Sequence, residues 1–217
     1  MEHVRGVRWM GWLFIVGSAC FALGVPLSLA LPSDPQVAGA VYFVGSIFFT
    51  SAASVQLWLS RRALPSMASM RPLRRLWHLL GIADPGWSSA WIQWLGTLAF
   101  NVTTWRSLVT AVGEDPTSAT LVWRPDAVGS VLFLVSSGIA MTPAVRHLRH
   151  AHVRDRSWAI AALNLVGSIF FGLSAVGAYT LPSSGDLVSL AWANAGTLLG
   201  ALCFLAGAWL VLPRRRG

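Results

Sequence analysis

The sequence predicts an all-α polytopic membrane protein with six transmembrane helices, compatible with a 3+3 inverted repeat. Three observations predict this fold: an apolar composition, six long apolar segments and a recurring motif that pairs a glycine with a phenylalanine. Hydrophobic residues make up 55% of the 217 residues and charged residues 11%, which is too apolar for a chain with a fully wetted surface. The net charge of +8 comes from short basic clusters between apolar segments, so we expect no nucleic-acid partner.

The six segments were identified by length. A bilayer core about 30 Å thick needs roughly 20 helical residues, and segments of that length occur at about 9–31, 37–59, 90–112, 126–144, 157–181 and 188–212, within one domain covering 1–217. An alternative is that the first segment is a cleaved signal peptide, because Arg5 and Arg8 precede it and Ser28-Leu29-Ala30 resembles a cleavage site. The segment is longer than a typical signal-peptide core, and its removal would leave mismatched loop charges. We therefore expect six spans.

The charges between the segments separate into two groups. Arginines cluster in the N-terminus, the second loop, the fourth loop and the tail: Arg5, Arg8, Arg61, Arg62, Arg71, Arg74, Arg75, Arg146, Arg149, Arg154, Arg156 and Arg214 to Arg216. The other loops carry Asp34, Glu114, Asp115, Asp126 and Asp186. The positive-inside rule then predicts cytoplasmic N- and C-termini. The use of Arg without any Lys indicates a GC-rich bacterial genome, and hence the bacterial plasma membrane.

The second loop contains a cytoplasmic amphipathic segment at about 71–81. Leu73, Leu76, Trp77 and Leu80 recur at helical spacing opposite the arginines, a pattern typical of a helix lying on the inner leaflet against anionic headgroups. Docking of a cytoplasmic protein is the alternative.

The hexapeptide VGSIFF occurs twice, at 44–49 and 166–171. A wider pattern, G-[ST]-x-x-F, begins at Gly17, Gly45, Gly96, Gly129 and Gly167, and the sixth segment contains Gly196 and Gly200. Positions i and i+4 share a helix face, and a small residue there lets a neighbouring helix approach closely. These seven glycines are therefore predicted to pack helices against one another, and the same notches would also allow two copies to pack into a homo-oligomer.

The order of the motifs suggests a repeat. Segment one matches segment four, segment two matches segment five, and the third and sixth share GTL at Gly96 and Gly196. A three-helix unit used twice enters the membrane from opposite sides, because three is odd, and this predicts an inverted repeat.

The stretches VYFVGSIFFTSAASVQL, VWRPDAVGSVLFLVSSG, ALNLVGSIFFGLSAVGAY and NAGTLLGALCFLAGAWLVLP resemble a group of uncharacterised actinobacterial multispanning membrane proteins related to the YrhK-domain family. The resemblance covers most of the chain and is weakest in the N-terminus and the second loop. It implies a multispanning protein of the plasma membrane, and it implies no activity or catalytic residues.

The sequence predicts no catalytic site, no metal site and no cofactor. The apolar segments contain no pair of acidic residues and no catalytic motif. The cluster of His147, His150 and His152 lies among arginines that would repel a cation.

Five polar residues form a candidate polar or transport site: Asn101, Arg106, Asp126, Asn164 and Asn194. Hydrogen bonding between helices explains the amides. Arg106 is expected to snorkel outwards or to pair with an acidic residue, of which Asp126 is the nearest and Asp115 and Glu114 are the competitors. The alternative, functional interpretation is a polar path for a solute with Asn101 at its centre, or an anion-binding site at Arg106.

Two functions stay open. The first is a structural or accessory membrane component without enzymatic activity, and the alternative is a small-solute or ion transporter with its site between two three-helix halves. A transporter requires a hydrated cavity that reaches Asn101 or Arg106, whereas a structural protein requires only dry packing.

Overall fold

The computed structural model describes residues 2–64, 84–109, 116–151 and 156–213. These residues form six helices: α1 (Glu2–Ala30), α2 (Pro35–Arg62), α3 (Pro85–Val109), α4 (Pro116–Ala151), α5 (Arg156–Gly177) and α6 (Leu190–Val211). The described part of the chain has no β-strand, and an isolated bridge joins Thr180 to Leu187. The predicted all-α fold is confirmed. The amphipathic segment predicted at 71–81 lies outside the described residues.

Helices α1 to α4 extend past the apolar segments at one or both ends, because main-chain hydrogen bonding continues into polar flanking residues. Helix α6 lies within its segment at 188–212, and α5 ends at Gly177 and not near residue 181. The chain then turns back on itself: Val188 N donates to Tyr179 O at 2.9 Å, and Gly185 N donates to Leu181 O at 2.8 Å. Gly185 has a φ of 76°, in the left-handed region that favours glycine. This turn brings Thr180 and Leu187 to the end of the helix bundle.

Five helices are long and apolar enough to cross a membrane: α1, α2, residues 120–143 of α4, α5 and α6. Helix α3 has 25 residues and is long enough, but its tryptophans, Gln93 and Asn101 make it less apolar. It nevertheless lies between α2 and α4 at the same depth, with Leu108 against Gly39 at one end and Trp94 bonded to Ser54 towards the other. We therefore count α3 as the sixth span.

The six helices form a closed ring. Each helix packs against its neighbours in the sequence, and α6 packs against α1 to complete the circle. Neighbouring helices are antiparallel, so α1, α3 and α5 begin at the end of the bundle where α2, α4 and α6 finish. Arg5, Arg8, Arg61, Arg62 and Arg156 lie at this end, which we call the basic end. The opposite end, with Asp34 and Asp186, is the acidic end.

Contacts between side chains connect the helix termini at the basic end. The Arg62 guanidinium is 3.2 Å from the Glu2 carboxylate, which links α2 to α1, and Arg156 donates to the Leu212 carbonyl, which links α5 to the end of α6. Both described chain ends are therefore on the same side of the bundle, as an even number of spans requires.

The motif glycines pair helices through reciprocal contacts. A Cβ placed on Gly17 would lie 2.8 Å from the Phe49 ring, and one on Gly45 would lie 3.0 Å from the Phe21 ring. In this way α1 and α2 each insert a phenylalanine beside the glycine of the other helix. The same exchange joins α3 to α4, through Gly96 with Phe133 and Gly129 with Phe100, and joins α5 to α6, through Gly167 with Phe204 and Gly200 with Phe171.

These contacts define three equivalent helical hairpins, α1–α2, α3–α4 and α5–α6, and not two three-helix halves. In a closed ring of alternating helices, a twofold axis in the membrane plane reverses the order around the ring, so it superposes α1, α2, α3 on α6, α5, α4. It cannot superpose them on α4, α5, α6 in that order. The 3+3 inverted repeat proposed from the sequence is therefore incompatible with the ring, whereas a threefold axis along the ring relates like hairpins directly.

Candidate functional site

The middle of the ring is filled by one phenylalanine from each helix. We call this set the phenylalanine layer: Phe21, Phe49, Phe100, Phe133, Phe171 and Phe204. Each ring is at most 8% exposed, and centroid distances such as 5.1 Å between Phe100 and Phe133 and 5.5 Å between Phe171 and Phe204 are typical of packed aromatic pairs. A void of only about 10 Å³ remains among them. The layer therefore closes the lumen of the ring.

The sixth member of the layer shows where the sequence motif was incomplete. Phe204 follows Gly200 by four residues, in Gly200-Ala201-Leu202-Cys203-Phe204, with alanine in place of Ser or Thr. The residue after each motif glycine is almost completely buried, from 0% exposed in Ala201 to 2% in Ser130. This position therefore requires a small side chain, and that side chain does not need a hydroxyl group. Relaxing the pattern to G-x-x-x-F would have found all six copies.

All seven glycines predicted to pack helices are buried. Gly196 makes a second notch, one helical turn before Gly200, where an added Cβ would lie 2.6 Å from the Phe170 carbonyl oxygen.

A cavity of about 320 Å³ lies between the phenylalanine layer and the acidic end, and we call it the outer cavity. All six helices contribute to its wall, together with the turn that follows α5. Its aromatic lining residues are Phe21, Tyr42, Phe100 and Trp123, and its polar ones include Thr103, Thr104, Ser107, Asp126, Ser174, Thr180, Asn194 and Thr197. Trp123 is held in place by its indole N–H, which donates to the Ala175 carbonyl at 2.7 Å.

Asp126 is the one charged residue among the described residues that line the outer cavity. It lies in α4, where it follows Pro125, and is half-buried. No hydrogen bond or ion pair with another described residue satisfies its carboxylate, whereas four hydroxyls of the same cavity donate to main-chain carbonyls: those of Thr103, Thr104, Ser174 and Thr197. An acidic side chain without a partner in a partly buried cavity favours a cationic occupant.

A second cavity, of about 190 Å³, lies on the other side of the phenylalanine layer, towards the basic end, and we call it the inner cavity. Its polar lining residues are the three amides Gln56, Gln93 and Asn164, and Phe14 and Phe204 are among its apolar ones. Of the described residues that line it, none is charged.

One sequence position in every helix lines a cavity. The residue seven positions before each layer phenylalanine lies two turns away on the same helix face, and because the helices alternate in direction, this position alternates between the two cavities. It is Phe14, Gln93 and Asn164 in the inner cavity and Tyr42, Asp126 and Thr197 in the outer cavity. This spacing is the signal that could have placed Asp126 and Asn164 in the lumen from sequence alone.

The structure separates the five predicted site residues. Asp126 and Asn194 line the outer cavity and Asn164 lines the inner one. Asn101 lines neither: its amide donates to Thr50 Oγ1 at 2.9 Å, so it belongs to the interface between α2 and α3.

Arg106 was predicted to snorkel or to pair with Asp126. Its guanidinium donates to the Leu121 carbonyl at 2.6 Å, and the described ion pairs do not include one with Asp126. Asp126 faces the lumen, and Arg106 is not among the residues that line it. The pair with Asp126 is therefore not formed, and the alternative acidic partners, Glu114 and Asp115, lie outside the described residues.

No group of three or more His, Cys, Asp or Glu side chains in the described part of the chain is arranged to hold a metal ion. The side chains of His147, His150 and His152 lie outside that part.

The closed ring of apolar helices and its divided lumen define a polytopic helical membrane protein. Comparisons with protein-family models, curated proteins and solved structures give no match.

Proposed function

We propose that the protein is a small-solute or ion transporter of the bacterial plasma membrane, in which the lumen of the helix ring is the path and the phenylalanine layer is a gate. The observation that carries this proposal is the order of features along the lumen: an outer cavity with polar groups, an apolar constriction, and an inner cavity with three amides. A helix bundle with a purely structural role does not need polar cavities on both sides of an apolar layer, because buried polar groups without partners destabilise the folded protein.

The mechanism would be gating by an apolar constriction, which excludes water from a narrow passage until its side chains move apart. This differs from alternating access between inverted halves, because the ring lacks such halves. The solute would bind in the outer cavity, pass the phenylalanine layer when the hairpins separate, and leave past Gln56, Gln93 and Asn164.

The second candidate is a structural or accessory membrane component. The near absence of free volume in the phenylalanine layer favours it, because a protein without transport activity would keep its lumen closed. Neither candidate is an enzyme.

We further propose cytoplasmic N- and C-termini, with anionic lipid headgroups bound at the basic end. A groove between α1 and α2 there presents Arg5 and Arg62 beside Trp9 and Trp58, and the Arg62 guanidinium stacks 3.8 Å from the Trp58 ring centroid. Tryptophan and arginine together are typical of the membrane interface. We also propose that the protein forms a homo-oligomer through its lipid-facing surface.

The gate is tested by opening it. The purified full-length chain, reconstituted into liposomes, is compared with a variant carrying Phe133→Ala and Phe204→Ala, and the permeation of glycerol, urea and choline chloride is followed by stopped-flow light scattering. We expect the variant to admit at least one of these solutes faster than the unaltered protein does, because removal of two rings joins the cavities. Phe43→Ala is the matched control, since Phe43 packs against Trp105 outside the layer. A folded variant as impermeable as protein-free liposomes would leave the structural candidate.

The orientation is tested with reporter fusions after Gly217 and within the loop from Asp34 to Gln36. We expect cytoplasmic activity from the first fusion and external activity from the second. The reverse pattern would overturn the orientation without affecting the gate.

A further inference from the structure

We infer that the outer cavity is a binding site for a small organic ammonium cation, with Asp126 as its counter-ion. This inference rests on the proposed function, because it names the class of solute that the lumen would carry. It arises from one juxtaposition: an acidic side chain without a described partner and four aromatic side chains line the same cavity.

The charge of the occupant follows from Asp126. Among the described residues that line the outer cavity, Asp126 is the one acidic side chain, and it has no described hydrogen-bond or ion-pair partner. Arg124 lies two residues earlier in α4 and is exposed, and Arg106 bonds to the Leu121 carbonyl, so neither lines the cavity. An anion would be repelled, and a neutral solute would leave the carboxylate without a partner.

The size and polarity of the occupant follow from the walls. Phe21, Tyr42, Phe100 and Trp123 supply aromatic rings, and aromatic rings attract alkylated ammonium groups while they tolerate the loss of water. A metal ion needs several oxygen ligands at short distances, whereas a cavity of about 320 Å³ with one carboxylate has space for an ion that brings its own apolar substituents.

The polar rim supplies the remaining interactions. Thr103 donates its hydroxyl hydrogen to the Val122 carbonyl at 3.0 Å and keeps an oxygen free to accept, and Asn194 adds an amide. These groups would bind the hydroxyl or N–H groups of an alkylammonium ion.

The probe for this site is choline, compared with its uncharged analogue 3,3-dimethylbutan-1-ol, which has the same shape. Isothermal titration calorimetry on the full chain in detergent micelles should show that choline binds and that the neutral analogue binds at least about ten-fold more weakly, because only the cation gains from the carboxylate. Equal affinity for both compounds, or no binding of choline, would overturn the inference.

The residue is tested with Asp126→Asn, which removes the charge and keeps the shape. We expect choline affinity to fall at least about ten-fold while affinity for the neutral analogue is unchanged. Asp186→Asn is the matched control, because Asp186 is an exposed carboxylate of the acidic end that does not line the cavity. If Asp126→Asn does not fold, Tyr42→Leu replaces it, with an expected loss of a few-fold for choline alone. Unchanged choline binding in the folded variant would overturn the assignment.

A competition arm separates alkali ions from organic cations. Choline binding is measured again with equimolar NaCl or KCl in the buffer. Displacement of choline by either salt would mean that the site takes a metal ion, contrary to the inference, and unchanged choline binding would support the inference.

Binding in micelles does not require passage, so the two proposals fail separately. Choline binding that depends on Asp126 in a protein whose phenylalanine variants stay impermeable would refute the gate and keep the site. Permeation that is indifferent to Asp126→Asn would keep the gate and refute the site.

Discussion

The interfaces within the hairpins and those between them are built differently. Within each hairpin, a phenylalanine of one helix fits beside a glycine of the other, in both directions. Between hairpins, two interfaces are joined by side-chain hydrogen bonds, which include the hydroxyl pairs Ser46 with Thr104 at 2.9 Å, between α2 and α3, and Ser137 with Ser168 at 2.8 Å, between α4 and α5. The third interface, between α6 and α1, has an edge-to-face contact of Trp12 with Trp209 at 6.5 Å and a one-sided notch, where a Cβ on Gly11 would lie 2.8 Å from the Leu212 side chain.

The difference indicates which part of the ring is specified most strongly. A glycine notch fixes the approach of two helices by shape, and lipid does not compete for it. A hydroxyl pair fixes register, but three of the four hydroxyls also bond to their own helix: Ser46 to the Phe43 carbonyl, Thr104 to the Phe100 carbonyl and Ser168 to the Asn164 carbonyl. We therefore expect the interfaces between hairpins, which lack the reciprocal exchange of glycine and phenylalanine, to be the ones that move if the lumen opens.

The largest effect is expected from filling the notches within hairpins. In Gly45→Leu the new Cβ would lie 2.8 Å from Cys20 Cβ, and in Gly167→Leu it would lie 3.0 Å from the Phe204 ring. Both variants should lose about 1–3 kcal/mol or more, as overpacked sites do, measured by reversible unfolding in mixed micelles.

Gly138→Leu is the matched control, because Gly138 lies in a helix and has nothing within 4 Å of an added Cβ. Similar losses in all three variants would mean that leucine disturbs these helices for a reason other than packing, and the distinction between the two kinds of interface would fail.

The part of the fold that the sequence predicted is the part built from local contacts. The motif identified five helices and their packing glycines, since a notch and a ring one turn apart are visible within a single helix. Closure of the ring between α1 and α6 is a contact between distant segments, and no motif residue marks it. The repeat was misassigned for a related reason: matching Gly96 to Gly196 instead of Gly200 shifted the sixth segment by one turn, and similarity between short motifs does not determine the order of helices in space.

The candidate site was predicted in part. Asn164 and Asn194 were selected because polar residues in apolar segments are costly, and Asp126 as the expected partner of Arg106. All three line a cavity. Asn101 was given the central position because it is in the middle of its segment, but it lies only one residue after Phe100. That places its side chain about a quarter of a turn around the helix, towards α2 and away from the lumen.

A smaller effect is expected from removing the hydroxyls between hairpins. Thr104→Ala and Ser168→Ala should each lower the unfolding free energy by about 0.6 kcal/mol, the average for polar contacts between membrane helices, because the remaining Ser46 or Ser137 hydroxyl keeps a main-chain acceptor. The measurement is the same unfolding assay, extended to a double-mutant cycle of Ser46→Ala with Thr104→Ala. A coupling energy as large as the loss in the glycine variants would mean that the two kinds of interface are equally specified.

The smallest effect is expected at Asn101. Its amide nitrogen donates to Thr50 Oγ1, but its carbonyl oxygen is buried and has no hydrogen-bond partner. Asn101→Leu would give up one hydrogen bond and at the same time remove an unsatisfied buried acceptor, and these contributions are similar in size and opposite in sign. We therefore expect nearly unchanged stability, together with unchanged choline affinity, because Asn101 does not line either cavity.

A large loss of choline binding in Asn101→Leu, with the protein still folded, would place the polar path at the interface between α2 and α3 and move the site out of the lumen. A large loss of stability with choline binding retained would instead make this amide the exception among the weak contacts between hairpins, since it would hold α2 and α3 together as firmly as a glycine notch holds α1 and α2.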